Sequence, residues 1–230
     1  MRLSLNQVEH GVRKAVRGAG LNWGLAEEAG RAIRWLESVD LPAVHQLAQH
    51  LEAVARAESA NLKIKPQSGA WKAIEGKTSP LMAGPSIVDW INGGNLDTAG
   101  DDQLEDNQIL VIEDVAFPML YAGYAGVACA HSEKWVRLVW GDIKVYCSPD
   151  GLGFSGNRGT LEVAEAVTLE VQLIEPDELV MKVFWYLSSH PCSVIPKDWK
   201  TVEMYAHRTY VEATEASRIA GAGAGLQDND

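Results

Sequence analysis

The sequence predicts an α+β protein, with an N-terminal antiparallel helical layer packed with a mixed, mainly antiparallel sheet. Three observations in its 230 residues carry that expectation. The first sixty residues hold three apolar stripes at helical spacing, joined by short connections. Residues 109–187 hold a succession of short apolar runs with turn chemistry between them. A segment rich in glycine and proline separates the two parts.

The first helix starts at a capping box, Ser4-x-x-Gln7, in which each side chain satisfies the other residue's unpaired backbone N–H. Val8, Val12 and Val16 follow on one face, Arg13, Lys14 and Arg17 lie toward the polar side, and Gly18 and Gly20 end the helix. A second helix is expected from about Leu25 to Val39, with Ala29, Ile33 (or Ala32) and Leu36 inward. The third starts at Pro42, whose missing N–H costs nothing in a first turn, and buries Val44, Leu47, Leu51 and Val54. From Asn61 to Asn107 the periodicity fails. Glycines and prolines punctuate it, and one short helix is expected around Pro85–Ile91. Long stretches of this kind are often functional.

Ile109-Leu110-Val111-Ile112 reads as a buried strand and Pro118 to Ala130 as a helix. Trp135–Trp140 and Ile143–Cys147 read as strands, and Ser148-Pro149-Asp150-Gly151 as a turn into another. Thr168–Ile174 and Val180–Leu187 continue the β pattern. Pro196 to Thr209 is the last helix, with Trp199, Val202 and Tyr205 or Ala206 inward. The organisation expected is therefore a helical layer over 1–60, a connecting segment over 61–107, and an α+β part with an ordered glycine-rich tail over 108–230, all in one compact unit.

Twenty basic and 31 acidic residues give a net charge of -11, which argues against nucleic acid or an anionic membrane as partner. No apolar run reaches the ~20 residues of a membrane span, and the opening Met1-Arg2-Leu3-Ser4 lacks a signal core. Residues 1–60 carry seven charges of each sign, so the whole excess lies in 61–230. The three cysteines, Cys129, Cys147 and Cys192, are widely spaced and read as reduced core thiols. The expectation is a cytoplasmic protein.

Most motif candidates fail on their physics. Gly151-x-Gly153-x-x-Gly156 matches a dinucleotide fingerprint in letters, but a Pro-Asp-Gly turn precedes it and only a doubtful helix, Thr160–Val167, follows. A β-hairpin fits better. Asn95 to Asp106 has acidic residues near calcium-loop positions, yet Ala99 stands where an oxygen ligand is needed. His45 and His50 are five apart, which turns them off a common helix face. His10, His131, His190 and His207 fall in no ligand motif. Among the eight tryptophans, Trp71 and Trp90 fall in the Gly/Pro-rich segment, and packing is the expected role of both.

The C-terminal stretch is the strongest local feature. Gly221, Gly223 and Gly225 alternate with alanine and free the backbone to present N–H groups to an anion. Ser217 and Arg218 add a hydroxyl and a planar bidentate donor. Asp228 and Asp230 follow, weak candidates for holding a divalent metal. An acidic tail needs a cationic seat, and Arg13, Arg17, Arg31 and Arg34 in the charge-balanced helices offer one.

Two resemblances bear on these residues. Ser4-Leu5-Asn6-Gln7-Val8-Glu9, Arg17-Gly18-Ala19-Gly20-Leu21, Gly24 through Ala32 and Arg34-Trp35-Leu36 resemble the opening of a bacterial family known only as a domain of unknown function. Ser217-Arg218, Gly221 through Leu226 and Asp228-Asn229-Asp230 resemble its closing motif. The chain departs from that pattern at Glu212, where proline is usual, and at Gln227, where threonine is. The resemblance implies no activity. The first sixty residues are also similar to the helical start of the malate/L-lactate dehydrogenase group that lacks a classical Rossmann domain. That group's Ser-His-Gly motif is replaced here by Ala43-Val44-His45.

The function expected is a metabolic enzyme or accessory subunit binding a small anionic metabolite, held by Arg17, Arg31, Ser217, Arg218, Gly221, Gly223 and Gly225. The competing expectation is a non-catalytic module whose tail docks on a neighbouring subunit, in a homo-oligomer or with a partner enzyme. No cofactor is identified.

Overall fold

The computed structural model describes residues 1–57, 62–67, 70–93, 109–175 and 184–210. A short strand β1 (Arg2–Leu3) leads into α1 (Leu5–Gly18), and both halves of the capping box form, with Ser4 and Gln7 each accepting the other's backbone N–H. Val8, Val12 and Val16 are buried as their spacing requires. Asn22 caps α2 (Trp23–Ser38) through the N–H of Leu25. At α3 (Ala43–Arg56) the cap position is Pro42, which has no side-chain acceptor. Glu37 at the end of α2 supplies one instead, taking the Val44 N–H at 2.8 Å.

The connecting segment holds more structure than its composition suggests. β2 (Ile64–Gln67) and β3 (Ala70–Ala73) pair as an antiparallel hairpin, and α4 runs Pro80–Ile91. The helix starts five residues before the sequence reading places it. Pro80 and Pro85 both look like first-turn prolines, and it is Pro80 that takes that place, behind the Ser79 cap. Pro85 sits inside the helix. Trp71 and Trp90 are both buried in the core.

β4 (Ile109–Ala116) leads into α5 (Pro118–Ser132), followed by β5 (Trp135–Trp140), β6 (Ile143–Ser148), β7 (Gly151–Ser155) and a single turn α6 (Arg158–Leu161). β8 (Glu165–Ile174), β9 (Phe184–Tyr186), β10 (Cys192–Ser193) and α7 (Pro196–His207) complete the described elements. Among the described residues eight strands form one sheet in the order β2-β3-β4-β8-β5-β6-β7-β9, in which the β3–β4 pair is parallel and the other pairs antiparallel. β1 and β10 pair separately, tying the N-terminus to the approach to α7. The α+β class and mainly antiparallel sheet therefore hold. Gly151, Gly153 and the residues between them lie in a strand antiparallel to β6, which is the hairpin expected there and not a phosphate loop.

α5 is buried on nearly every side, against the sheet on one face and α2 and α4 on the other. Its glycines make that possible. A Cβ at Gly123 would stand 2.5 Å from the Ala32 carbonyl oxygen, and one at Gly126 would overlap the Trp35 ring. α1 and α7 pack together outside this layer, with α3 against α7.

Candidate anion-binding groove on the N-terminal helices

α1 and α2 approach closely at Gly30, where a Cβ would lie 2.9 Å from the Glu9 carbonyl oxygen. That contact sets which side chains meet above it. Glu9 and Arg13 are one turn apart on α1, and Arg34 is one turn beyond Gly30 on α2. Together with Asn6 and His10 they line a polar groove of about 270 Å³.

The charges in the groove are unequally paired. Arg34 Nη1 donates to Glu9 Oε2 at 2.7 Å, a close charge-assisted bond. Arg13 Nη1 stands 4.0 Å from Glu27 Oε1, at the limit of an ion pair. Arg13 Nη2 donates to His10 Nδ1 at 3.2 Å, so that ring nitrogen is an acceptor and carries no proton. Arg13 Nε is buried and has no hydrogen-bond partner among the described residues. The Arg13 side chain is 38% exposed, and its Nη groups, engaged only with His10 and with Glu27 at 4.0 Å, keep donors open to a carboxylate or phosphate oxygen. The groove can therefore hold a small anion between Arg13 and His10, with Glu9 restraining Arg34 on the opposite wall.

Of the residues expected at the site, Arg17 and Arg31 fall outside this lining. Arg17 donates to the Leu21 carbonyl at 3.0 Å and lies over the Trp23 ring. Arg31 is exposed on α2, where its charge faces Glu28. Ser217, Arg218, Gly221, Gly223, Gly225, Asp228 and Asp230 lie outside the described residues, as does the acidic stretch Asn95–Asp106.

Three polar arrangements escaped the sequence reading. His45 on α3 donates through Nδ1 to Asp198 Oδ2 at 2.8 Å, and Gln49 donates to its Nε2 at 2.8 Å. Asp198 sits in the first turn of α7, so the pair joins two helices whose residues are 153 apart in sequence. His50, buried on the other side of α3, accepts the Ser79 hydroxyl at 2.8 Å, and burial lowers its pKa to about 4. Glu37 is buried where it caps α3. Desolvation raises its carboxyl to about 7 against the opposing bonds from Val44, Cys192 and Ala43. The three thiols are free and buried, as their spacing suggested, and burial pushes each of them up.

A helical layer with a polar inter-helix groove, set on an antiparallel sheet, is the class of protein that these features define. Residues 3–79 match the model of a family described as a protein of unknown function (DUF3726), which places the N-terminal resemblance on that stretch. The matched stretch contains the whole groove. No curated protein matches the chain.

Among solved structures it is similar to malate dehydrogenase from Pyrococcus horikoshii OT3, at 10% identity and a TM-score of 0.48 over 90% of this chain and 65% of that one. It is also similar to sulfolactate dehydrogenase from Methanocaldococcus jannaschii, at 9% identity and 0.47 over 89% and 68%. A third is malate dehydrogenase from Entamoeba histolytica, at 8% identity and 0.40 over 73% and 49%. The chain spans about two thirds of the length of the first two. Likenesses of this degree assign it neither a reaction nor a substrate.

Proposed function

We propose that this chain is a metabolic enzyme, or the accessory subunit of one, that binds a small anionic metabolite in the α1/α2 groove. Arg13 is the principal ligand, His10 and Arg34 flank it, and Asn6 offers an amide. The observation that carries this reading is the exposed, weakly paired guanidinium of Arg13 in a groove that also holds an imidazole and Arg34, whose charge Glu9 already engages. Ser217, Arg218 and the N–H groups of Gly221, Gly223 and Gly225 add further donors to the anion from the C-terminal segment in this proposal. The protein works in the cytoplasm, a placement supported by three unpaired thiols.

A thermal-shift panel of di- and tricarboxylates and phosphorylated metabolites tests the reading. At ~100 times its Kd a ligand adds about 2.7 kcal/mol, equivalent to roughly 5–10 °C for a chain of this size. At least one anion is expected to raise the melting temperature by that order, and most of its shift should disappear in Arg13→Gln. If every anion shifts the wild type and Arg13→Gln equally, the groove is not the site.

A further inference from the structure

The far end of α1 carries a second cationic surface, separate from the groove. Lys14 Nζ donates to the Tyr210 hydroxyl at 3.0 Å and lies 4.7 Å above that ring. Arg17 lies 5.8 Å over Trp23, and Arg208 4.2 Å over Tyr205. The His207 ring stands 5.4 Å from that of Tyr210. These pairs are neighbours because α1 and α7 touch at their C-terminal ends, where a Cβ on Gly18 would overlap the Tyr205 carbonyl and reach to 3.4 Å from Arg208 Cβ.

Two properties mark this surface as a binding face. Trp23 and Tyr210 are 49% and 60% exposed, and exposed Trp and Tyr beside Arg are the composition of interface anchors. The cations also lack the partners this chain could easily supply. Among the described residues, no carboxylate pairs with Lys14, Arg17 or Arg208, although the chain carries 31 acidic residues. An acidic, extended peptide is the ligand chemistry that suits such a face.

We infer that the occupant is the chain's own C-terminal segment, residues 211–230, docked in cis. It follows directly from Tyr210, which Lys14 fixes on the surface itself. It contains Glu212, Glu215, Asp228 and Asp230 against the single cation Arg218. At about 3.5 Å per residue, Glu212 and Glu215 reach ~7 and ~17 Å from Tyr210, a range that covers Arg208 and Arg17. Tethering keeps the segment at an effective concentration near millimolar, so a few weak ion pairs hold it. The inference goes beyond the anion reading and holds with the groove empty.

Trypsin reads this docking in the full-length protein, because Arg218 is the one basic residue of the segment. The rate of loss of residues 219–230 is measured by mass spectrometry, without added metabolite. Cleavage should be at least tenfold faster in Arg17→Glu/Arg208→Glu than in the wild type. The milder Lys14→Gln/Arg17→Gln, checked for native circular dichroism, should give an intermediate rate. Wild-type cleavage should also accelerate between 0.05 and 1 M NaCl relative to a free control peptide, as screening predicts. Equal rates in all variants and at all salt concentrations overturn the inference. Protection that grows with protein concentration and elutes with a dimer also overturns it, because the segment then docks on a second copy.

Discussion

Urea titrations between pH 4 and pH 7 should show substitutions at two buried groups, His50 and Glu37, tilting the stability profile in opposite directions relative to the wild type. His50 is held neutral by burial, with its pKa lowered from 6.5 to about 4. Between those values the unfolded chain binds the extra proton. Its contribution is therefore present above pH 6.5 and lost as pH falls toward 4. Glu37 behaves in the reverse sense. Its folded pKa is raised from 4.5 to about 7, so its contribution is present below pH 4.5 and lost as pH rises through 7.

Each shift corresponds to about 3 kcal/mol, and the two slopes oppose each other over pH 4.5–6.5. His50→Gln keeps an acceptor for the Ser79 hydroxyl and removes the titration. Relative to wild type its stability should fall by ~3 kcal/mol from pH 4.5 to 7. Glu37→Gln keeps an acceptor for the Val44 N–H and should rise by a similar amount from pH 4 to 6.5. Variant profiles that run parallel to the wild-type profile would sink this account of the two buried groups.

The second large effect concerns how α2 and α5 approach. Gly123→Ala gains helix propensity worth up to ~1 kcal/mol, but its Cβ would meet the Ala32 carbonyl at 2.5 Å, a backbone atom that cannot rotate away. Overpacking of this kind costs ~1–3 kcal/mol or more, and with a backbone carbonyl in the way a net loss of about 1–2 kcal/mol and roughly 2–8 °C in melting temperature is expected. Gly24→Ala is the matched control. It is exposed in the first turn of α2, with its nearest neighbour 3.5 Å away, and should leave stability unchanged or slightly higher. If both substitutions stabilise, the close α2–α5 packing is wrong.

Some of this architecture is legible in the sequence for identifiable reasons. Helices with one buried stripe announce themselves, and the faces of α1, α3 and α7 are those the spacing of Val8/Val12/Val16, Val44/Leu47/Leu51 and Trp199/Val202 requires. The β5–β6–β7 meander is equally plain, because Ser148-Pro149-Asp150-Gly151 can only turn. The β2–β3 hairpin is hidden because Pro66 and Gly69 read as breakers when taken singly. α5 shows almost no polar face, since it is surrounded by apolar neighbours, and its period is correspondingly faint.

The groove is half legible. Arg13 and Arg34 stand among the cations on the polar faces of the first two helices, along with Arg17 and Arg31. Which of the four converge is decided at Gly30, where the helix backbones meet, and no local pattern encodes that contact. His45 and Asp198 illustrate the same limit, because their partnership exists only once α3 and α7 have packed.

The proposed anion site lies between Arg13, His10 and Arg34. Backbone amide chemical shifts, followed while the most stabilising anion of the panel is titrated, test it most directly. Asn6 through Arg13 and residues 30–34 should shift together along one saturating curve, and the same titration of Arg13→Gln should leave them still. Shifts centred on other residues, or an unchanged response in Arg13→Gln, would contradict it.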